Sequence, residues 1–149
     1  MTTYTQFSVF MVTRPGVLTQ ACRALAEAKV NIVAMTMMDT MEHGVMRVVC
    51  EDAGRARAAL QNGNFSFSES EVLAVEMPNR PGAAADVCEK LATGKVAISY
   101  MYCSTSGGGG KAIGIFRVNN LDRAKKALTA TNKTSRTVKV GRRQPALRR

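Results

Sequence analysis

The chain has 149 residues, 46% of them apolar, enough to bury one average core or two small ones, so the chain need not be disordered. Its net charge of +10 is unevenly spread: all eleven acidic residues lie at or before Asp122, whereas the last seventeen residues carry seven basic side chains and no acid. No apolar run reaches the roughly 18–20 residues of a membrane helix, and the start lacks the basic flank of a signal peptide, so a soluble, cytoplasmic protein with no membrane partner is expected.

In chain order, Phe7, Val9 and Met11 alternate with Ser8, Phe10 and Val12, the period of a strand with one buried face. Arg14-Pro15-Gly16 then turns the chain, and Leu18, Cys22, Leu25 and Ala26 recur at helical spacing. Residues Asn31–Asp39 read as a second strand, Glu42-His43-Gly44 as a turn, and Val45–Glu51 as a third strand. An alanine-rich helix over Ala53–Gln61 and a fourth strand over Phe65–Ser70 complete the series.

The series then repeats. Arg14-Pro15-Gly16 returns as Arg80-Pro81-Gly82, a shift of 66 that also aligns Cys22 with Cys88, Leu25-Ala26 with Leu91-Ala92, Ile32 with Ile98, Met35 with Met101 and Gly44 with Gly110. A two-residue insertion then changes the shift to 68, matching Arg55-Ala56 with Arg123-Ala124 and Ala59-Leu60 with Ala127-Leu128. Copy two is expected to hold strands over Leu73–Met77, Ala97–Ser104 and Ala112–Val118, and helices around Ala84–Ala92 and Leu121–Ala130. A last strand is expected near Thr134–Val140.

Strand-helix-strand-strand-helix-strand in about 70 residues is the split βαβ arrangement, so the fold class is α+β with two tandem ferredoxin-like βαββαβ modules. The boundaries are 1–70, 71–141 and a basic tail over 142–149. Phe65, Phe67, Leu73, Val75 and Met77 share one parity, so the last strand of copy one should run almost directly into the first strand of copy two.

The repeated Arg-Pro-Gly turn is the best candidate site. Proline is tolerated at a helix start, glycine lets a ligand approach the backbone, and the N–H groups of the first turn favour a carboxylate. Other features carry less. With a single histidine, His43, and no close cysteine pair, no metal and no cofactor is expected, and the four cysteines read as buried thiols. Met35, Met37, Met38, Met41 and Met46 read as core filler or as an adaptable surface. Tyr100 and Tyr102 share a strand face and suit core packing, or contact with a ligand or subunit. Gly107–Gly110 lacks a strand-to-helix setting and reads as a hairpin.

Residues Phe7 to Ile32 and Leu73 to Ile98 resemble ACT domains, the small regulatory modules of amino-acid metabolism. The resemblance rests on Arg14-Pro15-Gly16-Val17-Leu18, Leu25-Ala26 and Val30-Asn31-Ile32, and on Asn79-Arg80-Pro81-Gly82, Leu91-Ala92 and Val96 to Tyr102. It implies a non-catalytic sensor that binds an amino acid at an interface between modules, associates as a homodimer and regulates an enzyme. In such modules an asparagine before the Arg-Pro-Gly and another at the start of the second strand hold the ligand. Carried over, these are Asn79 and Asn31, with Arg80 and Gly82 in the same turn, and Thr13, Arg14 and Gly16 in the other. Copy one departs from the pattern with Thr13 at the first asparagine position, and copy two with Ala97 at the second.

Two other functions fit parts of the sequence. Acylphosphatase shares the fold and uses an arginine in the corresponding turn, but its Val-Gln-Gly-Val core is absent, as is any constellation for acid–base or nucleophilic work, so no catalytic residue is assigned. The basic tail from Lys133 to Arg149 could bind nucleic acid or an acidic partner protein, although no aromatic residue after Phe116 is available to stack on bases.

Overall fold

The computed structural model describes residues 1–39, 43–105 and 110–130. Its elements run β1 Thr2–Val12, α1 Val17–Glu27, β2 Ile32–Asp39, β3 His43–Cys50, α2 Ala53–Asn62, β4 Ser66–Pro78, α3 Ala83–Thr93, β5 Ile98–Thr105, β6 Lys111–Val118 and α4 Leu121–Thr129. This is the βαββαβ pattern of copy one, followed by the same pattern in copy two as far as α4. The strand expected near Thr134–Val140 and the basic tail lie outside the described residues, as do Met41 and most of the glycine run.

The strands form one antiparallel sheet in the order β2-β3-β1-β4-β6-β5. β4 serves both modules: Ser66–Ser70 pair with Phe10–Gln6 as the last strand of copy one, and Leu73–Pro78 pair with Phe116–Lys111 as the first strand of copy two. The junction is therefore continuous strand. β1 and β4 are equivalent in the repeat, and they pair so that Thr5 faces Glu71, its own counterpart. A local two-fold thus relates the modules. The N-terminal residues Thr2–Tyr4, opposite Ala74–Val72, do for copy two what Ser66–Ser70 do for copy one.

Alternation sets the two faces of the sheet. Phe7, Val9 and Met11 on β1 pack with Ala21 and Leu25 of α1 and with Ala56, Ala59 and Leu60 of α2. Leu73, Val75 and Met77 on β4 pack with Val87 and Leu91 of α3 and Ala124 of α4. The buried stripe of each first helix differs from the expectation: α1 buries Ala21 and Leu25 while Leu18 is exposed, and α3 buries Ala83, Val87 and Leu91. A third cluster (Ala34, Val49, Val72, Ala74 and Ile115) lies on the opposite face of the sheet and draws on both modules. The sheet curls over this cluster, so that β2 and β5, its two outer strands, approach each other.

The register corrects one match. Met35 faces Val48 and Met101 faces Phe116, so the shift is 66 on the second strands but already 68 on the third. Gly44 therefore corresponds to Ala112 rather than Gly110, and both His43 and Gly44 belong to β3 instead of a turn. Among the cysteines, Cys50 is buried and burial pushes its thiol up to about 11, whereas Cys103 is exposed rather than core. Met46 is core, but Met35, Met37 and Met38 are exposed.

Candidate functional site

The two Arg-Pro-Gly turns have the same backbone geometry. Arg14 N–H donates to the Val12 carbonyl and Arg80 N–H to that of Pro78, each at 2.9 Å; Val17 and Ala83 N–H donate to the Arg14 and Arg80 carbonyls, each at 3.3 Å. Gly16 and Gly82 then adopt left-handed φ values of 89° and 85° as the residues preceding α1 and α3. Even the left-handed residues beyond these helices recur, as Lys29 and Lys95.

Neither helix start carries a side-chain cap. α2 and α4 do, because Asp52 accepts from Arg55 N–H at 2.9 Å and Asn120 from Arg123 N–H at 2.8 Å. A helix leaves its first N–H groups without intrahelical partners, so α1 and α3 present uncapped donors with the positive end of the helix behind them. Each start borders a concavity. Thr13, Arg14, Pro15, Leu18 and Met37 line one of about 260 Å³, and Met77, Arg80, Asp86, Val87 and Leu128 line one of about 390 Å³.

The electrostatics of the turns differ. The first turn of α1 has no acid, and Arg14 forms no ion pair among the described residues. The first turn of α3 carries Asp86, which accepts a hydrogen bond from Arg80 Nη2 as an exposed ion pair.

The remaining candidates sit apart from the turns. Asn31 lies just before β2, where its Nδ2 donates to Glu51 at 3.2 Å and its carbonyl accepts from Glu51 N–H at 3.1 Å. Asn79 is beyond the end of β4, its N–H donating to the Gly110 carbonyl at 3.2 Å. The structure thus groups Asn79, Arg80 and Gly82 in one turn and Thr13, Arg14 and Gly16 in the other. Among the described residues no hydrogen bond joins Asn31 to either. Asn119, which the sequence motifs do not single out, also belongs to this arrangement. Its Oδ1 accepts from Ala97 N–H at 3.1 Å, so copy two carries its amide at the end of the third strand. The 68-residue shift places Asn119 at the position of Glu51 and could have revealed it.

A family model described as an ACT domain pair matches residues 1–137. The chain belongs to the ACT domain pair family. None of the curated proteins matches it. Among solved structures, a protein of Bacteroides thetaiotaomicron is 28% identical, with a TM-score of 0.77 over 85% of this chain and 86% of that one. The ligand-free regulatory subunit of aspartate kinase from Thermus thermophilus is 16% identical, with a TM-score of 0.62 over 84% and 87% of the two chains. That second likeness is one of fold.

Proposed function

We propose that this ACT domain pair is a non-catalytic sensor that binds an amino acid and regulates a partner enzyme. The observation that carries the reading is the duplicated turn: the same Arg-Pro-Gly geometry leaves two helix starts uncapped while the other two helices are capped by side chains. Uncapped N–H groups at a positive helix end suit the α-carboxylate of a free amino acid. Among the described residues, no arrangement of nucleophile and base accompanies either turn.

The stronger site is assigned to the Asn79–Gly82 turn together with Asn31. Arg80 and Asp86 supply the two charges that a zwitterion needs, so a bound amino acid would replace one ion pair with two. Asn31 is held at the Glu51 end of module one, so its contribution is assigned to a second copy of the chain in a homodimer. The Thr13–Gly16 turn would pair with Ala97, whose methyl group offers no hydrogen bond. Losing one bond to a charged ligand costs about 1.5–3 kcal/mol, which makes that site at least about tenfold weaker.

A thermal-shift screen of the purified protein against the twenty amino acids tests the reading. Ligand at 100 times its dissociation constant adds about 2.7 kcal/mol of stability, visible as a raised melting temperature. Calorimetric titration of any hit should show one strong class of site per chain, weakened in Asn31→Ala and in Asn79→Ala. Two equal sites, or variants that bind as well as wild type, would overturn the assignment, and an absence of any hit would overturn amino-acid sensing.

A further inference from the structure

The outer strands β2 and β5 approach across the concave side of the sheet without pairing as neighbours in the ladder. Side chains from β1 and β3 reach β5 across this concave side. Gln6 on β1 and Tyr100 on β5 are three strands apart, which in a flat sheet would separate them by about 14 Å. Instead Gln6 Nε2 donates to the Tyr100 hydroxyl at 2.7 Å, and Gln6 Oε1 accepts from the Tyr102 hydroxyl at 3.0 Å. The Arg47 guanidinium from β3 lies 3.8 Å from the centre of the Tyr100 ring, adding a cation–π contact between the modules.

Gln6 is fully buried, the one polar residue among the buried core residues described. Burial pushes the Tyr102 hydroxyl far above the ordinary tyrosine range, so it stays a donor even in alkaline solution where a free tyrosine ionises. The duplication provides an internal comparison. The 66-residue shift maps Gln6, Tyr100 and Tyr102 onto Val72, Ala34 and Thr36, and there Val72 and Ala34 meet in an apolar cluster. One half of the interior is thus closed by apolar contact and the other by a hydrogen-bonded amide. Apolar replacement of a buried polar group is often neutral or stabilising, so stability alone does not account for the amide.

We propose that Gln6, Tyr100 and Tyr102 form a latch that ties β5 to β1 across the concave side of the sheet, beside the β2–β5 seam. While the amide bonds both hydroxyls, the modules are held in one relative arrangement. When those bonds break, β5 is released from β1, its approach to β2 is lost and the interior shared by the two modules opens.

Hydrogen exchange read by mass spectrometry on Gln6→Met, Tyr100→Phe and Tyr102→Phe tests the latch. Peptides covering β2 and β5 should exchange faster than in wild type, by on the order of tenfold for each bond lost, while those from α1, α3 and the paired centre of β1 and β4 keep their rates. The single tyrosine variants retain their rings and carry the test if Gln6→Met does not fold. Unchanged exchange in β2 and β5, or equal acceleration of all peptides, would overturn the proposal.

Discussion

At the scale of single residues, Gly16 and Gly82 are where sequence and conformation are most tightly tied. A side chain disfavours their left-handed φ by about 1–2 kcal/mol, yet a Cβ would meet nothing within 4 Å at Gly16 and only Arg80 Nη1 at 3.6 Å at Gly82. Conformation, not crowding, is therefore what excludes alanine. Gly16→Ala and Gly82→Ala should each lose about 1–2 kcal/mol in urea denaturation, and asparagine, which tolerates the left-handed region, should lose less. Equal losses for alanine and asparagine would point to a contact instead. These turns were legible because a proline and a glycine in sequence limit the backbone to few conformations. The exposure of Met35, Met37 and Met38 was not, since the alternation on β2 marks two faces but does not show that neither would be fully covered.

At the scale of elements, the caps and one ion pair fasten helices to their surroundings. Asp52 and Asn120 occupy equivalent positions in the repeat and cap α2 and α4 in the same way. Asp52→Ala and Asn120→Ala should each cost about 0.5–2 kcal/mol in chemical denaturation; a loss at only one would show that the copies do not rely on their caps alike. Arg57 of α2 holds Glu69 of β4 through two bonds, of 2.6 and 2.7 Å. The side-chain hydrogen bond from Arg57 lowers the Glu69 carboxyl below its ordinary value. A carboxyl lowered on folding adds stability above its unfolded-state pKa and loses that stability as pH falls through the lower, folded value. Wild type and Glu69→Gln should therefore differ most at neutral pH and converge in acid, and a gap independent of pH would refute the attribution. Most element bounds could be read from periodicity. The buried stripe on the first helices could not, because alanine and cysteine fit the inner and the flanking positions equally well.

At the scale of the whole molecule, the repeat and the shared parity of Phe65 to Met77 foretold the continuous β4, whereas the curl that closes the sheet was not legible. It depends on contacts such as Gln6 with Tyr100, 94 residues apart, which no local pattern encodes. The same curl makes the modules interdependent. Module one has a complete βαββαβ series, yet Ala34 and Val49 on its concave face are covered by Val72, Ala74 and Ile115 from beyond residue 70. Module two in turn has the other edge of β4, at Leu73 and Ala74, paired by Thr3 and Thr2 of β1. Cutting between Ser70 and Glu71 should therefore expose apolar surface on both fragments and remove a strand edge from each. The expected result is that residues 1–70 and 71–149, made separately, show no sharp thermal transition. Mixed in equal amounts, they should regain one cooperative melt and the far-ultraviolet circular dichroism of the intact chain. The intact chain should itself unfold in a single transition, with calorimetric and van't Hoff enthalpies in agreement. A sharp melt from residues 1–70 alone as a monomer would show that module one is self-sufficient and that the shared interior is not what holds the pair together.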